Sequence, residues 1–144
     1  MKSVESEVKR TVFARLVEGE DLLETIGSVA KGHRINSGFF FLIGTLKKAI
    51  LGYYKEGSYV SIEKAGPLEI ASCMGNISVK EESELVIHAH IVVSDGKGDA
   101  FAGHVLPGCQ VDATVELVLV AVEDAVLRRE YEARKNLYLW SLAE

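Results

Sequence analysis

The sequence predicts an α+β fold: a mostly antiparallel, twisted β-sheet with one main covering helix. Three observations lead there. Most of the chain reads as strands separated by short turn signals, one segment alone has both the periodicity and the caps of a helix, and strands and helices do not alternate as parallel βαβ units require. No composition shift, repeat or low-complexity tract divides the 144 residues, so residues 1–144 are expected to form one domain.

The elements follow in order. From Val8 to Val17 the even positions Val8, Val12, Ala14 and Leu16 are apolar, interrupted by Arg10, as in a half-buried strand. Asp21 stands as an N-cap with Glu24 three residues on, and Leu22, Leu23, Ile26, Val29 and Ala30 share one face of a helix running to Lys31. Gly32 is placed to take the left-handed conformation that ends it, with Lys31, His33 and Arg34 set against the negative end of the helix dipole. The run Phe39 to Ile43 has the length of a strand covered on both faces. Ala49 to Tyr54 and Ser58 to Glu63 flank Lys55-Glu56-Gly57, a hairpin loop by length and glycine content.

Gly66-Pro67 marks a turn before a strand from Leu68 to Val79, and Glu84 to Val93 repeats the β pattern after a polar break. Beyond a glycine-containing loop from Asp95 to Gly103, Gln110 to Val122 forms a long strand with Val111, Ala113, Val115, Leu117, Leu119 and Ala121 on one face. Leu137 to Trp140 reads as a short strand, and the rest of the segment from Glu123 to Glu144 has no assignable type.

Sixteen basic against twenty-one acidic residues give a net charge of −5. The basic residues form only short clusters such as Lys47-Lys48 and Arg128-Arg129, which argues against a phosphate-binding face and so against direct nucleic-acid binding. Cys73 and Cys109 form no CxxC pattern and read as reduced thiols. The charged N-terminus lacks the apolar core of a signal peptide and no apolar run reaches membrane-spanning length, so a cytoplasmic protein without a membrane partner is expected.

Chemistry concentrates on the histidines. His88 and His90, two apart in a strand, point both imidazoles to one face, opposite the apolar Leu85, Ile87, Ala89, Ile91 and Val93. His104 follows Gly103 at a loop end, where glycine permits close backbone approach. Three imidazoles with an open fourth position describe a catalytic-type zinc site. The plainer reading is a pair of surface histidines and an unconnected loop residue. His33 is accounted for as a capping or solvated residue, Cys73 as a buried inert thiol and Cys109 as a core or turn residue. Glu69, Asp112 and Glu116 are the carboxylates with a possible function. Glu116, where a polar strand face turns apolar, is placed to orient a metal-bound histidine, to act as a base, or to pair with an arginine. No glycine pattern for cradling phosphate occurs, so nucleotide binding has no support.

With these residues in order, the chain resembles the plant and prokaryote conserved (PPC, DUF296) domain family over nearly its whole length. The carrying residues are Gly19-Glu20-Asp21-Leu22-Leu23, Gly66-Pro67-Leu68-Glu69-Ile70, Gly75-Asn76-Ile77-Ser78, His88-Ala89-His90, Gly103-His104 and Thr114 to Leu117. The resemblance implies a homotrimer of the stand-alone prokaryotic type, with zinc as cofactor on the three histidines that match His88, His90 and His104. Ala89 and Ala102 occupy places where relatives commonly carry a larger apolar residue and a glycine, and neither change removes a ligand. Plant relatives join the domain to an Arg-Gly-Arg-Pro hook for the DNA minor groove, absent from this sequence. A regulatory or DNA-associated role and protein partners are therefore implied by resemblance only. At fold level the family also looks like acetolactate decarboxylase and zinc-dependent ester hydrolases, so the alternative is a small zinc-dependent enzyme of hydrolase or decarboxylase type, with catalytic residues unassigned.

Overall fold

A computed structural model describes residues 1–81 and 83–142. Strand accounts for 65% of the chain and helix for 8%, which makes the protein mostly β. Its centre is a closed barrel, and this corrects the expected α+β sheet with a covering helix. Strands β2 (Gly38–Lys55), β5 (Ala100–Val105), β4 (Glu84–Ser94) and β3 (Ser58–Lys80) are hydrogen-bonded in that order, and β3 returns to pair with β2, closing a four-stranded antiparallel ring. β6 (Gln110–Val122) lies on the free edge of the first half of β2, and β1 (Val8–Val17) lies outside β6. β7 (Arg128–Glu132) runs parallel to the end of β3 and forms a hairpin with β8 (Leu137–Trp140).

Closure depends on two strands being far longer than their sequence segments imply. The run Phe39 to Ile43 and the stretch Ala49 to Tyr54 are parts of one strand, β2. Bulges between Leu42 and Gly44 and between Leu46 and Lys48 bend it, so that its first half pairs with β6 and its second half reaches β5. Gly66-Pro67, expected as a turn, instead lies inside β3 with a cis peptide bond, between Ala65 paired with Lys48 and Leu68 paired with Leu46. A Cβ at Gly66 would stand 2.4 Å from the Leu46 carbonyl oxygen, so glycine is needed for the strands to approach. The hairpin at Glu56 and Gly57 is as expected, both residues having the positive φ of a tight two-residue turn.

One core cluster draws on β1 to β6, with Phe40, Leu42, Leu46, Leu51, Ile77, Ile91, Leu117 and Leu119 among its buried members. The helix α1 (Leu22–Gly32) adds Leu22, Ile26 and Ala30 to it rather than roofing an open sheet. Alternation places most of the core as expected, including Ala89, Ile91 and Val93 of β4. Ala113 is exposed because β6 bulges opposite Thr45, whose hydroxyl accepts from the Ala113 N–H.

Asp21 caps α1 through the Glu24 N–H (3.0 Å) and also accepts from the Gly108 N–H (2.7 Å), fastening the helix start to the turn before β6. At the other end Gly32 remains helical and Arg34 takes the left-handed conformation at φ 55°, while the Ile35 N–H reaches the Ala30 carbonyl and the Arg34 N–H the Lys31 carbonyl. This is a Schellman ending built on a non-glycine residue, with Ile35 buried behind it. Arg34→Gly is therefore expected to raise the unfolding free energy by about 0.5–1 kcal/mol, read as a higher urea midpoint at unchanged slope.

Candidate metal centre

His88 and His90 project from one side of β4, and alternation is the reason: Ala89 between them is buried. His104 belongs to strand β5, not to a loop end as expected, and lies directly opposite His90 in the antiparallel register. Gly103 allows this: its missing Cβ would stand 3.1 Å from the Gly52 carbonyl oxygen and 3.1 Å from the Leu51 Cβ, where β2 and β5 meet to close the barrel. Barrel closure and the placing of His104 are one event.

The three rings stand 5.0–5.3 Å apart between centroids, and one ligand nitrogen from each lies within 4.8 Å of the others. A tetrahedral zinc with nitrogens at about 2.0–2.1 Å spaces them about 3.4 Å apart, so small ring movements suffice to gather one ion. Nδ1 of His104 is buried without a hydrogen-bond partner, as expected of a donor set built for something other than protein. Burial, reinforced by Arg129 and by the neighbouring rings, pushes His88 down to about 4. Burial, with His90 and Arg129, does the same to His104, also down to about 4. Both are therefore neutral at neutral pH, the form that donates a lone pair to a metal.

The surroundings hold the rings. Tyr59 stacks on His104 at 4.5 Å and 19°. Arg129, only 8% exposed, donates from Nη2 to His88 Nδ1 (3.2 Å) and to Asn76 Oδ1 (2.9 Å), from Nε to Ser78 Oγ (2.7 Å) and from Nη1 to the Tyr138 carbonyl (2.9 Å). Sequence reasoning missed Arg129, since its segment carried no periodicity and its neighbours lie some forty to fifty residues away in the chain. Its one signal was its place in the short basic cluster Arg128-Arg129.

The carboxylates do not join the site. Glu116 is exposed on β6 between Arg15 of β1 and Ile43 of β2, and Glu69 is exposed on β3 opposite Thr45 and Ser94. Neither these nor Asp112 belongs to the histidine group. Cys109 is fully buried, with Sγ accepting from the Ile50 N–H (3.2 Å), and Cys73 is buried with its thiol pushed up to about 12 by desolvation first and Cys109 second. Both are core residues. His33 is the C-cap of α1, its N–H bonded to the Val29 carbonyl.

A family model for the Plants and Prokaryotes Conserved (PCC) domain matches residues 3–123. The chain belongs to that family. Two solved structures share the PCC fold over almost the whole chain. A plant- and prokaryote-conserved protein of Pyrococcus horikoshii is 30% identical with a TM-score of 0.90, covering 100% of this chain and 99% of its own. A metal-containing protein of Archaeoglobus fulgidus is 29% identical with a TM-score of 0.89, covering 98% of this chain and 99% of its own. Among curated proteins, the bifunctional protein GlmU of Synechococcus sp. (strain JA-2-3B'a(2-13)) is 30% identical over 107 residues, 73% of this chain. This chain spans only 16% of GlmU, so the similarity concerns one part of a much longer protein. Among the described residues of this PCC protein no helix is long and apolar enough to cross a membrane.

Proposed function

We propose that this PCC domain is a zinc-binding homotrimer whose ion is held by His88, His90 and His104. The observation that carries the reading is the convergence of three imidazoles from two paired strands, one with an orphaned buried nitrogen. An all-nitrogen set without thiolate or carboxylate suits zinc among the common metals. The similarity to a metal-containing archaeal protein agrees with it. Held by these three histidines, a zinc ion would have a fourth position open to water or a carbonyl oxygen and would supply Lewis acidity there. In the metal-free protein the chain's own residues hold the rings: Tyr59 stacks on His104, and Arg129, itself bonded to Asn76, donates to His88.

The trimer reading rests on an unusual surface. Cross-strand pairing aligns Phe13, Val118, Phe41, Met74 and His90 in one row over β1, β6, β2, β3 and β4. Phe13 is 78%, Phe41 49% and Met74 62% exposed, so a continuous apolar ladder faces outward and ends at the histidines. A regulatory role through protein partners would use the same kind of surface. A net charge of −5, with basic residues only in short clusters along the sequence, argues against direct DNA binding. A second reading, a small zinc-dependent enzyme, is favoured by a cavity of about 240 Å³ that opens beside His88 and His104.

The test is elemental analysis of protein purified without added metal or a histidine tag, beside His88→Ala, His90→Ala and His104→Ala. About one zinc per chain in the parent and less than a tenth of that in each variant is expected. Metal retained in all three variants, or absent from the parent after zinc loading and dialysis, refutes the site.

A further inference from the structure

The cavity beside the histidines is lined by two cations in a chain of net charge −5. Its wall consists of Tyr59, Val86, Ile87, Leu137, Tyr138 and Leu139 with the two histidines, and among the described residues its only charged members are Lys80 and Arg129, both cations. Lys80 is occupied, paired with Glu84 at 3.2 Å and set over the Tyr138 ring. Arg129 differs. Its four acceptors are all neutral, and among the described residues no carboxylate pairs with it. A guanidinium stays protonated under all ordinary conditions, and one buried without an anion is costly.

Its bond to His88 sharpens the point. Arginine can only donate, so Nδ1 of His88 must offer its lone pair to Nη2 and Nε2 must carry the ring proton. A neutral imidazole has a single nitrogen lone pair. An ion that takes Nδ1 displaces Arg129, and one that takes Nε2 forces the proton onto Nδ1, which then cannot accept from Arg129. Either way, a metal on His88 would release one Arg129 N–H into a cavity whose other charged lining residue among those described, Lys80, is a cation already paired with Glu84.

Resting on the metal-site reading above, we propose that Arg129 is an anion-binding residue, released when His88 takes a metal, and that the cavity accepts a small carboxylate with a short apolar body. Carboxylate suits the planar guanidinium fork. The apolar body suits Val86, Ile87, Leu137 and Leu139, and a volume of about 240 Å³ limits it to a few carbons.

Titration calorimetry tests this with isovalerate, isovaleramide and inorganic phosphate as probes, on zinc-loaded and metal-free full-length chain. Isovalerate is expected to bind the zinc-loaded protein, with the amide of the same shape at least tenfold weaker. Arg129→Gln weakens isovalerate about tenfold or more while zinc content holds, and Arg129→Lys, which keeps charge without the fork, recovers part of the loss. In metal-free protein His88→Ala, which removes the competing acceptor, strengthens isovalerate binding relative to the parent. Equal binding of acid and amide, indifference to Arg129→Gln at full zinc content, or preference for phosphate overturns the proposal. If the parent takes up no zinc, the metal site falls, and the His88→Ala arm alone then decides for or against Arg129: no gain in affinity there overturns it.

Discussion

Gly75→Ala is expected to destabilise the protein by about 3 kcal/mol, read as a lower urea midpoint at unchanged slope. Gly75 occupies the middle of β3, paired with Phe40 of β2 on one side and with Ala89 of β4 on the other. A Cβ built there lies 2.2 Å from the carbonyl oxygen of His88 and 2.5 Å from Cζ of Phe40. Neither neighbour can yield: one is backbone inside the barrel, the other a ring only 1% exposed and packed in the core. The strain falls on the strand that carries His88 and His90, so zinc retention is expected to weaken along with stability. Gly96→Ala is the matched control, since a Cβ at Gly96 meets nothing within 4 Å, and its midpoint should stay within error of the parent. Equal midpoints for the two variants would show that the barrel tolerates repacking at β3.

Phe41→Asp is expected to convert the proposed trimer to monomers at micromolar concentration by sedimentation velocity, with the fold intact by circular dichroism. Phe41 is the centre of the apolar ladder, opposite Val118 on β6 and Met74 on β3. Its half-exposed ring contributes little to the monomer, whereas at an interface an aspartate there would be buried without a partner. Conversely, a residue facing solvent in the functional assembly would tolerate the charge. A parent that sediments as a monomer, or a variant that stays trimeric, would remove this ladder from the assembly. Comparing zinc content of trimer and monomer also shows whether the histidines hold metal within one subunit, because the ladder runs directly into His90.

Much of the local structure was legible in the sequence. The capped helix from Leu22, the hairpin at Glu56-Gly57, the strand character of Leu137 to Trp140 and the alternation of β4 all follow from patterns spanning a few residues. Two imidazoles on one strand face were legible for the same reason, since period-two geometry decides which way His88 and His90 point. The architecture was not. Lys47-Lys48 and Gly66-Pro67 look like breaks, yet they lie at bends within two long strands, and only the pairing of β3 back onto β2 shows it.

The site divides along the same line. His88 and His90 follow from sequence, while His104 reaches them because β5 is the strand that fills the barrel between β4 and the far half of β2. Arg129 arrives later still, carried by a hairpin laid against the end of β3. Hydrophobic periodicity decides which face of a strand is buried, because burial acts on each residue through its own pleat. It does not decide which edges meet, because backbone hydrogen bonding is nearly the same for every residue, and edge pairing is selected by how the whole core packs. The sequence thus determined the helix, the pleat of most strands and the face that His88 and His90 share, and only the tertiary structure decided the full length of β2 and β3, the closed barrel, the approach of His104 and the cation beside it.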